Sequence, residues 1–132
     1  QRQMCIRDRE NPYVLNYLAY SWLERNYKIE LSMEMLKEAY DLRKNDPYIT
    51  DSLGWGYYLI NDFENAEKYL KKAVELMPYD PIVNDHYGDI LWMLNRKIQA
   101  RYFWNNVLNL DETDDEMKID VKKKIIYGIE KT

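Results

Sequence analysis

Three Asx-Pro pairs punctuate the chain: Asn11-Pro12, Asp46-Pro47 and Asp80-Pro81. The prolines are spaced by 35 and then 34 residues. Asn or Asp at a helix N-cap accepts hydrogen bonds from backbone N–H groups that have no partner within the helix. Proline at the first helical position gives up no bond there. Each pair is therefore a helix start, and a start that recurs at a fixed period marks a repeat architecture.

The period runs through the whole unit. Gly54 and Gly88 are 34 apart, and Ala19 precedes Gly54 by 35; Trp22, Tyr57 and Leu91 keep the same spacing. Further along, Ser32, Ala66 and Ala100 are successively 34 apart, as are Leu36, Leu70, Trp104 and Ala39, Ala73, Val107. The extra residue of the first unit must lie between Trp22 and Ser32, where a turn over Arg25-Asn26-Tyr27-Lys28 absorbs it at little cost.

Each unit divides into two amphipathic helices. In the middle unit Leu53, Tyr57 and Ile60 share one face, and Ala66, Leu70, Ala73 and Leu76 another. Asn61-Asp62 breaks the pattern between them, with Asp62 as a cap. The small residues Gly54, Gly88, Ala66 and Ala100 are expected where the two helices cross closely. That closeness offsets the ~1 kcal/mol a mid-helix glycine costs relative to alanine. Gly54-Trp55-Gly56 falls inside a helix with no strand before it, so it is not a phosphate loop. After the third unit, Thr113 and Glu116 form a capping-box pattern. Met117, Val121, Ile125 and Ile129 then recur every four residues, with Lys122, Lys123 and Lys124 expected to face outward. This predicts one terminal helix closing the stack.

Composition agrees. The chain has 132 residues, 46% apolar and 32% charged, and its 13 Tyr and 4 Trp stand against only 4 Gly and 4 Pro. Long helices with aromatic filling fit that balance better than a turn-rich barrel or sandwich. A net charge of −4 argues against a general nucleic-acid binder. No apolar run approaches the ~18 residues of a membrane span. A single Cys cannot form an internal disulfide, and a single His leaves no multi-His metal site. His86 lies between Asp85 and Asp89, but only the two acids share a helix face, too few for a metal. No nucleophile–His–acid arrangement supports catalysis. Arg101 is expected to pair with Asp89 or a neighbouring acid.

These residues resemble a tetratricopeptide repeat (TPR) array. The middle unit carries the family pattern in Leu53, Gly54, Tyr57, Ala66, Leu70, Ala73 and Pro78. The third carries Tyr87, Gly88, Leu91, Ala100, Trp104 and Val107, with Asp111 at the closing proline position. The first carries Leu18, Ala19, Trp22, Ser32, Leu36 and Ala39, with Lys44 at that position. Asp51 to Trp55, Asn84 to Asp89, and Ala100-Arg101 with Trp104 resemble the C-terminal repeats of longer bacterial TPR proteins.

The resemblance implies an all-α fold, a right-handed solenoid of three helix hairpins plus a C-terminal capping helix. The domain is expected over residues 11–131, with repeats at 12–46, 47–80 and 81–114 and a capping helix at 114–130. Residues 1–10, with the lone Cys5, read as a non-native or unstructured leader, the string MCIRDR resembling translated sequencing-adapter read-through. On that reading the chain is a fragment. Its compartment is open between cytoplasm and, given an upstream signal peptide, periplasm.

The resemblance further implies protein or peptide binding in a concave groove, with no intrinsic catalysis and no cofactor; with the charge and the ligand count above, no nucleic acid and no metal are expected. First-helix positions 2, 5, 9, 12 and 13 line such a groove. Here they are Tyr13, Asn16, Tyr20, Leu23 and Glu24, then Tyr48, Asp51, Trp55, Tyr58 and Leu59, then Ile82, Asp85, Asp89, Trp92 and Met93. The groove is expected to be aromatic and acidic, without Lys or Arg, and so unlike the carboxylate clamps that grip acidic chaperone tails. A cationic, aromatic partner segment is expected, its cations paired by Asp51, Asp85 and Asp89. The alternative is a structural segment that caps a longer superhelix. Its mark would be an exposed apolar face around Val14, Tyr17 and Leu18.

Overall fold

The computed structural model describes residues 11–130; the leader expected at 1–10 and Cys5 lie outside the described residues. The described residues form seven helices and no strand: α1 Pro12–Glu24, α2 Ile29–Leu42, α3 Pro47–Leu59, α4 Phe63–Leu76, α5 Pro81–Met93, α6 Lys97–Asn109 and α7 Asp115–Tyr127. No helix is long and apolar enough to cross a membrane.

The Asx-Pro pairs start α1, α3 and α5. Asn11 accepts from the backbone N–H of Tyr13 and Val14, Asp46 from Tyr48 and Ile49, and Asp80 from Val83. Asp62 caps α4 through the Asn65 N–H. The capping box expected at Thr113 does not form. Asp114 caps α7 by accepting from the Met117 N–H at 2.8 Å. Thr113 is buried, and its hydroxyl donates to the Val107 carbonyl at 2.6 Å, so it ties the preceding turn to α6 instead.

The hairpin turns share a device. Asn26, Asn61 and Asn95 all have positive φ, at 57°, 67° and 64°. The residue after each donates its N–H to the carbonyl five positions back, at 2.9 Å in all three turns. This is the Schellman closure, and asparagine tolerates the left-handed conformation it requires. The first turn spans 25–28 and the others 60–62 and 94–96, so the extra residue lies where the spacing places it. Lys28, the added position, also has positive φ, at 47°.

Each hairpin closes on its small residues. A Cβ on Gly54 would stand 2.7 Å from Leu70 Cγ, and one on Gly88 2.5 Å from the Trp104 ring. Ala66 and Ala100 are fully buried opposite them. Successive hairpins stack, giving one apolar cluster across units one and two and another across units two and three with α7. Tyr57 packs against both, stacked on Tyr69, which meets Tyr40 edge-on. The apolar faces are shorter than the periodicity suggests. Ile60 and Leu76 are exposed, because each stands in the last turn or just past it, beyond the reach of the neighbouring helix.

Candidate functional site

The first helices α1, α3 and α5 lie side by side, and the contacts between them define the expected groove floor. At its centre Asp51 of α3 and His86 of α5 are both buried, and the imidazole Nδ1 is 3.0 Å from each carboxylate oxygen. Burial disfavours charge on His86. The adjoining Asp51 carboxylate, with Asp89 and Asp85 further off, more than compensates, and the imidazole pKa rises above its usual value. Trp55 stacks on His86 with ring centres 3.9 Å apart and on Tyr58 at 4.4 Å.

The second cluster joins α5 to α7. Lys124 Nζ lies 2.9 Å from an oxygen of Asp85 and 2.9 Å from one of Asp89. The same Asp89 oxygen accepts from Trp104 Nε1 at 3.1 Å. Burial and the neighbouring Asp85 push the Asp89 carboxyl up to about 6, against the pull of Lys124 and His86. Burial opposes charge on Lys124, yet the two carboxylates raise its pKa.

Two expectations change here. Lys124 does not face outward with the exposed Lys122 and Lys123; it enters the floor between first-helix positions. Asp51, Asp85 and Asp89 are not open to a partner's cations, because His86 and Lys124 already hold them. A carboxylate buried between helices is costly unless paired, and the chain supplies the pair internally.

Trp92 is likewise engaged. Its Nε1 donates to the Ile129 carbonyl at 3.2 Å, and Lys97 and Arg101 stand 4.9 and 5.0 Å over its ring. Among the described residues Arg101 pairs with no acid; its Nε donates to the Ile125 carbonyl at 2.9 Å. Gly128, at φ 76°, packs against Trp92 where a Cβ would come within 2.1 Å of the ring. The third unit's share of the floor is thus taken up largely by the chain's own C-terminal end.

Of the remaining expected groove residues, Leu23 and Tyr58 are buried in the core and do not face a partner, and the others are more available. Tyr13 and Tyr48 are 52% and 58% exposed. The Tyr13 hydroxyl donates to Asp46 Oδ2 at 2.9 Å, joining the first unit to the cap of the second. Tyr20 is half-buried; burial, then the nearby Glu24 and Asp51, raise its pKa. Asn16 is half-buried, and its Oδ1 is shielded from solvent with no hydrogen-bond partner among the described residues. His86 and Lys124 were absent from the expected site. His86 had a signal in its place beside Asp85, one position past the register equivalent of Asp51.

No family model matches the chain. A TPR repeat-containing protein of Pseudomonas aeruginosa is 33% identical over 69 residues, 52% of this chain. The match spans only 12% of that relative's length. Solved structures share the fold. The first TPR of Spaghetti (RPAP3), bound to the HSP90 peptide SRMEEVD, has a TM-score of 0.73 and 18% identity, covering 86% of this chain and 89% of its own. The type III secretion translocator chaperone SycD of Yersinia enterocolitica gives 0.75 at 15% identity, covering 87% and 89%. A thermophilic TPR protein of Thermus thermophilus gives 0.75 at 17%, covering 89% and 65%. With the repeat register and the seven-helix solenoid, these likenesses show that the chain has the fold of a tetratricopeptide repeat array.

Proposed function

We propose that the chain is a protein-interaction module whose first helices bind an extended partner segment, chiefly through units one and two. One observation carries this reading: Tyr13 and Tyr48 present exposed rings on successive first helices, beside the half-buried Asn16 and Tyr20. Rings standing in water on neighbouring helices are rigid apolar area that a partner segment can bury. Trp55, held between Tyr58 and His86, supplies a rigid apolar wall that loses little entropy on binding. The RPAP3 domain bound to a peptide supports segment binding as a use of this fold. Its ligand does not transfer, because Lys124, the lysine that enters this floor between first-helix positions, is occupied by Asp85 and Asp89. An aromatic segment bearing Lys or Arg remains the better match, its cations meeting tyrosine rings rather than the paired carboxylates.

Tryptophan fluorescence during titration tests the reading. A blocked peptide alternating Lys and Phe is expected to bind and the SRMEEVD peptide not to. Asn16→Ala and Tyr13→Ala are expected to weaken binding at least fivefold. Unchanged binding in both variants would remove the groove assignment.

A second reading is favoured by α1. Tyr17 is 75% exposed, whereas its register equivalents Ser52 and His86 are 8% exposed because a preceding hairpin covers them. Val14 and Leu18 are likewise only half-buried, where Ile49 and Leu53 are buried. This face supports a structural role in which another helical hairpin stacks on α1. Light scattering separates the two readings: concentration-dependent self-association, abolished by Tyr17→Lys, would favour stacking through this face.

A further inference from the structure

We propose a second docking surface, away from the first-helix groove, built on the two loops that join successive hairpins. The loop after α4 and the loop after α6 enclose a cleft of about 710 Å³. A second cleft of about 510 Å³ lies on the other side of Tyr79, between α4 and α6. Pro78, Tyr79, Asn109 and Leu110 are common to both, so the clefts form one surface divided by a ridge.

Three features give this surface a partner chemistry. The first is exposed aromatic area: Tyr79 is 80% and Tyr102 62% exposed. Rings standing in water beside Leu110 and Pro78 are apolar area that a partner can bury. The second is rigidity. Asn84 is buried, and its amide donates to the carbonyls of Pro78 and Asp80, both at 2.9 Å, which fixes the loop carrying Tyr79. Thr113 fixes the other loop through Val107. A pre-shaped cleft does not pay to order itself on binding. The third is charge. Glu75, Asp111 and Glu112 are exposed on the lining, and no Lys or Arg among the described residues lines either cleft.

The occupant that fits is an extended segment of a partner protein that carries Arg or Lys beside aliphatic side chains. Its apolar groups cover Tyr79 and Leu110, and its cations meet the carboxylates at the rim. Apart from Tyr48 and the buried Asn84, the lining comes from second helices and connecting loops, so most of this surface lies away from the groove.

The test is amide NMR on the ¹⁵N-labelled full chain with two blocked peptides, one alternating Arg and Leu and the other Glu and Leu. The Arg peptide is expected to shift the resonances of Tyr79, Leu110 and Asp111, with the Glu peptide leaving them unmoved. Tyr79→Ala, and separately Asp111→Lys with Glu112→Lys, are expected to weaken that binding at least fivefold. All three positions lie in loops, so the variants should keep the native spectrum elsewhere. Unmoved loop resonances, equal shifts with both peptides, or full affinity in the variants would overturn the proposal. Shifts confined to Asn16, Tyr20 and Trp55 would overturn it while leaving the groove reading in place.

Discussion

The imidazole of His86 and the carboxylate of Asp51 meet at 3.0 Å between two helices of successive repeats, both side chains buried. The contact ties α3 to α5 and makes the groove floor sensitive to pH. His86 also faces Asp85 and Asp89 on its own helix, whose charges Lys124 of α7 offsets. Its folded pKa is raised above the unfolded value of about 6.5. Its protonation therefore contributes stability fully below that value, and the contribution is lost as pH rises through the folded pKa. The unfolding free energy is expected to fall as pH is raised above about 6.5 and through the folded pKa, and His86→Gln to flatten that decline. Urea melts across the range check it; an unchanged slope in the variant would place the titration elsewhere.

The Lys124 cluster predicts an asymmetry between its two sides. Lys124→Met leaves Asp85 and Asp89 facing each other without a counterion. Breaking a buried pair costs about 3–5 kcal/mol, and the 23% exposure of Lys124 reduces this to roughly 2–3 kcal/mol. Asp89→Asn removes the charge that burial and Asp85 already disfavour, and it keeps an oxygen for Trp104 Nε1. Its cost should stay below about 1 kcal/mol. The double variant should lose less than the sum of the single losses. Chemical denaturation of the four proteins is the measurement, and equal losses in the two single variants would contradict the assignment.

Gly88→Ala should destabilise although alanine favours helix. The propensity gain is about 1 kcal/mol. Against it, the added Cβ meets the Trp104 ring at 2.5 Å and the Ala100 carbonyl at 3.2 Å. Trp104 is fully buried and cannot move aside, and overpacking of this kind costs roughly 1–3 kcal/mol. The net expectation is a lowered melting temperature. Gly54→Ala should also lose stability, because its added Cβ would meet the Cγ of the fully buried Leu70 at 2.7 Å and the Leu70 backbone nitrogen at 3.0 Å. A melting temperature raised by Gly88→Ala would show that the hairpin has room to open.

What the sequence revealed and what it hid separate along a physical line. Helix starts, hairpin turns and close crossings are written locally, in Asn11-Pro12, in the glycines, and in the periodic alanines. Those features could be read one residue at a time. The pairing of Asp51 with His86, and of Asp85 and Asp89 with Lys124, joins neighbouring units across 35 to 39 positions. No single-helix pattern encodes it, so the acids looked open to a partner and Lys124 looked solvated. Asn26, Asn61 and Asn95 recur at the repeat spacing and hold the left-handed turn positions, a periodic signal outside the helix patterns.

Those asparagines support the last prediction. Asn61 sits at φ 67°, its N–H bonded to the Tyr58 carbonyl at 3.0 Å and the next N–H to Tyr57 at 2.9 Å. The closure needs a residue that accepts a left-handed backbone. Glycine does so freely, and a β-branched residue pays roughly 1–2 kcal/mol. Asn61→Gly should therefore be nearly neutral, and Asn61→Val should lower stability by about 1–2 kcal/mol. The same ordering is expected at Asn95, where the backbone bonds to Trp92 and Leu91 are equivalent. Thermal melts of the two pairs decide it. Equal stability of the Gly and Val variants at both sites would mean that the turns relax out of the left-handed conformation once asparagine is gone.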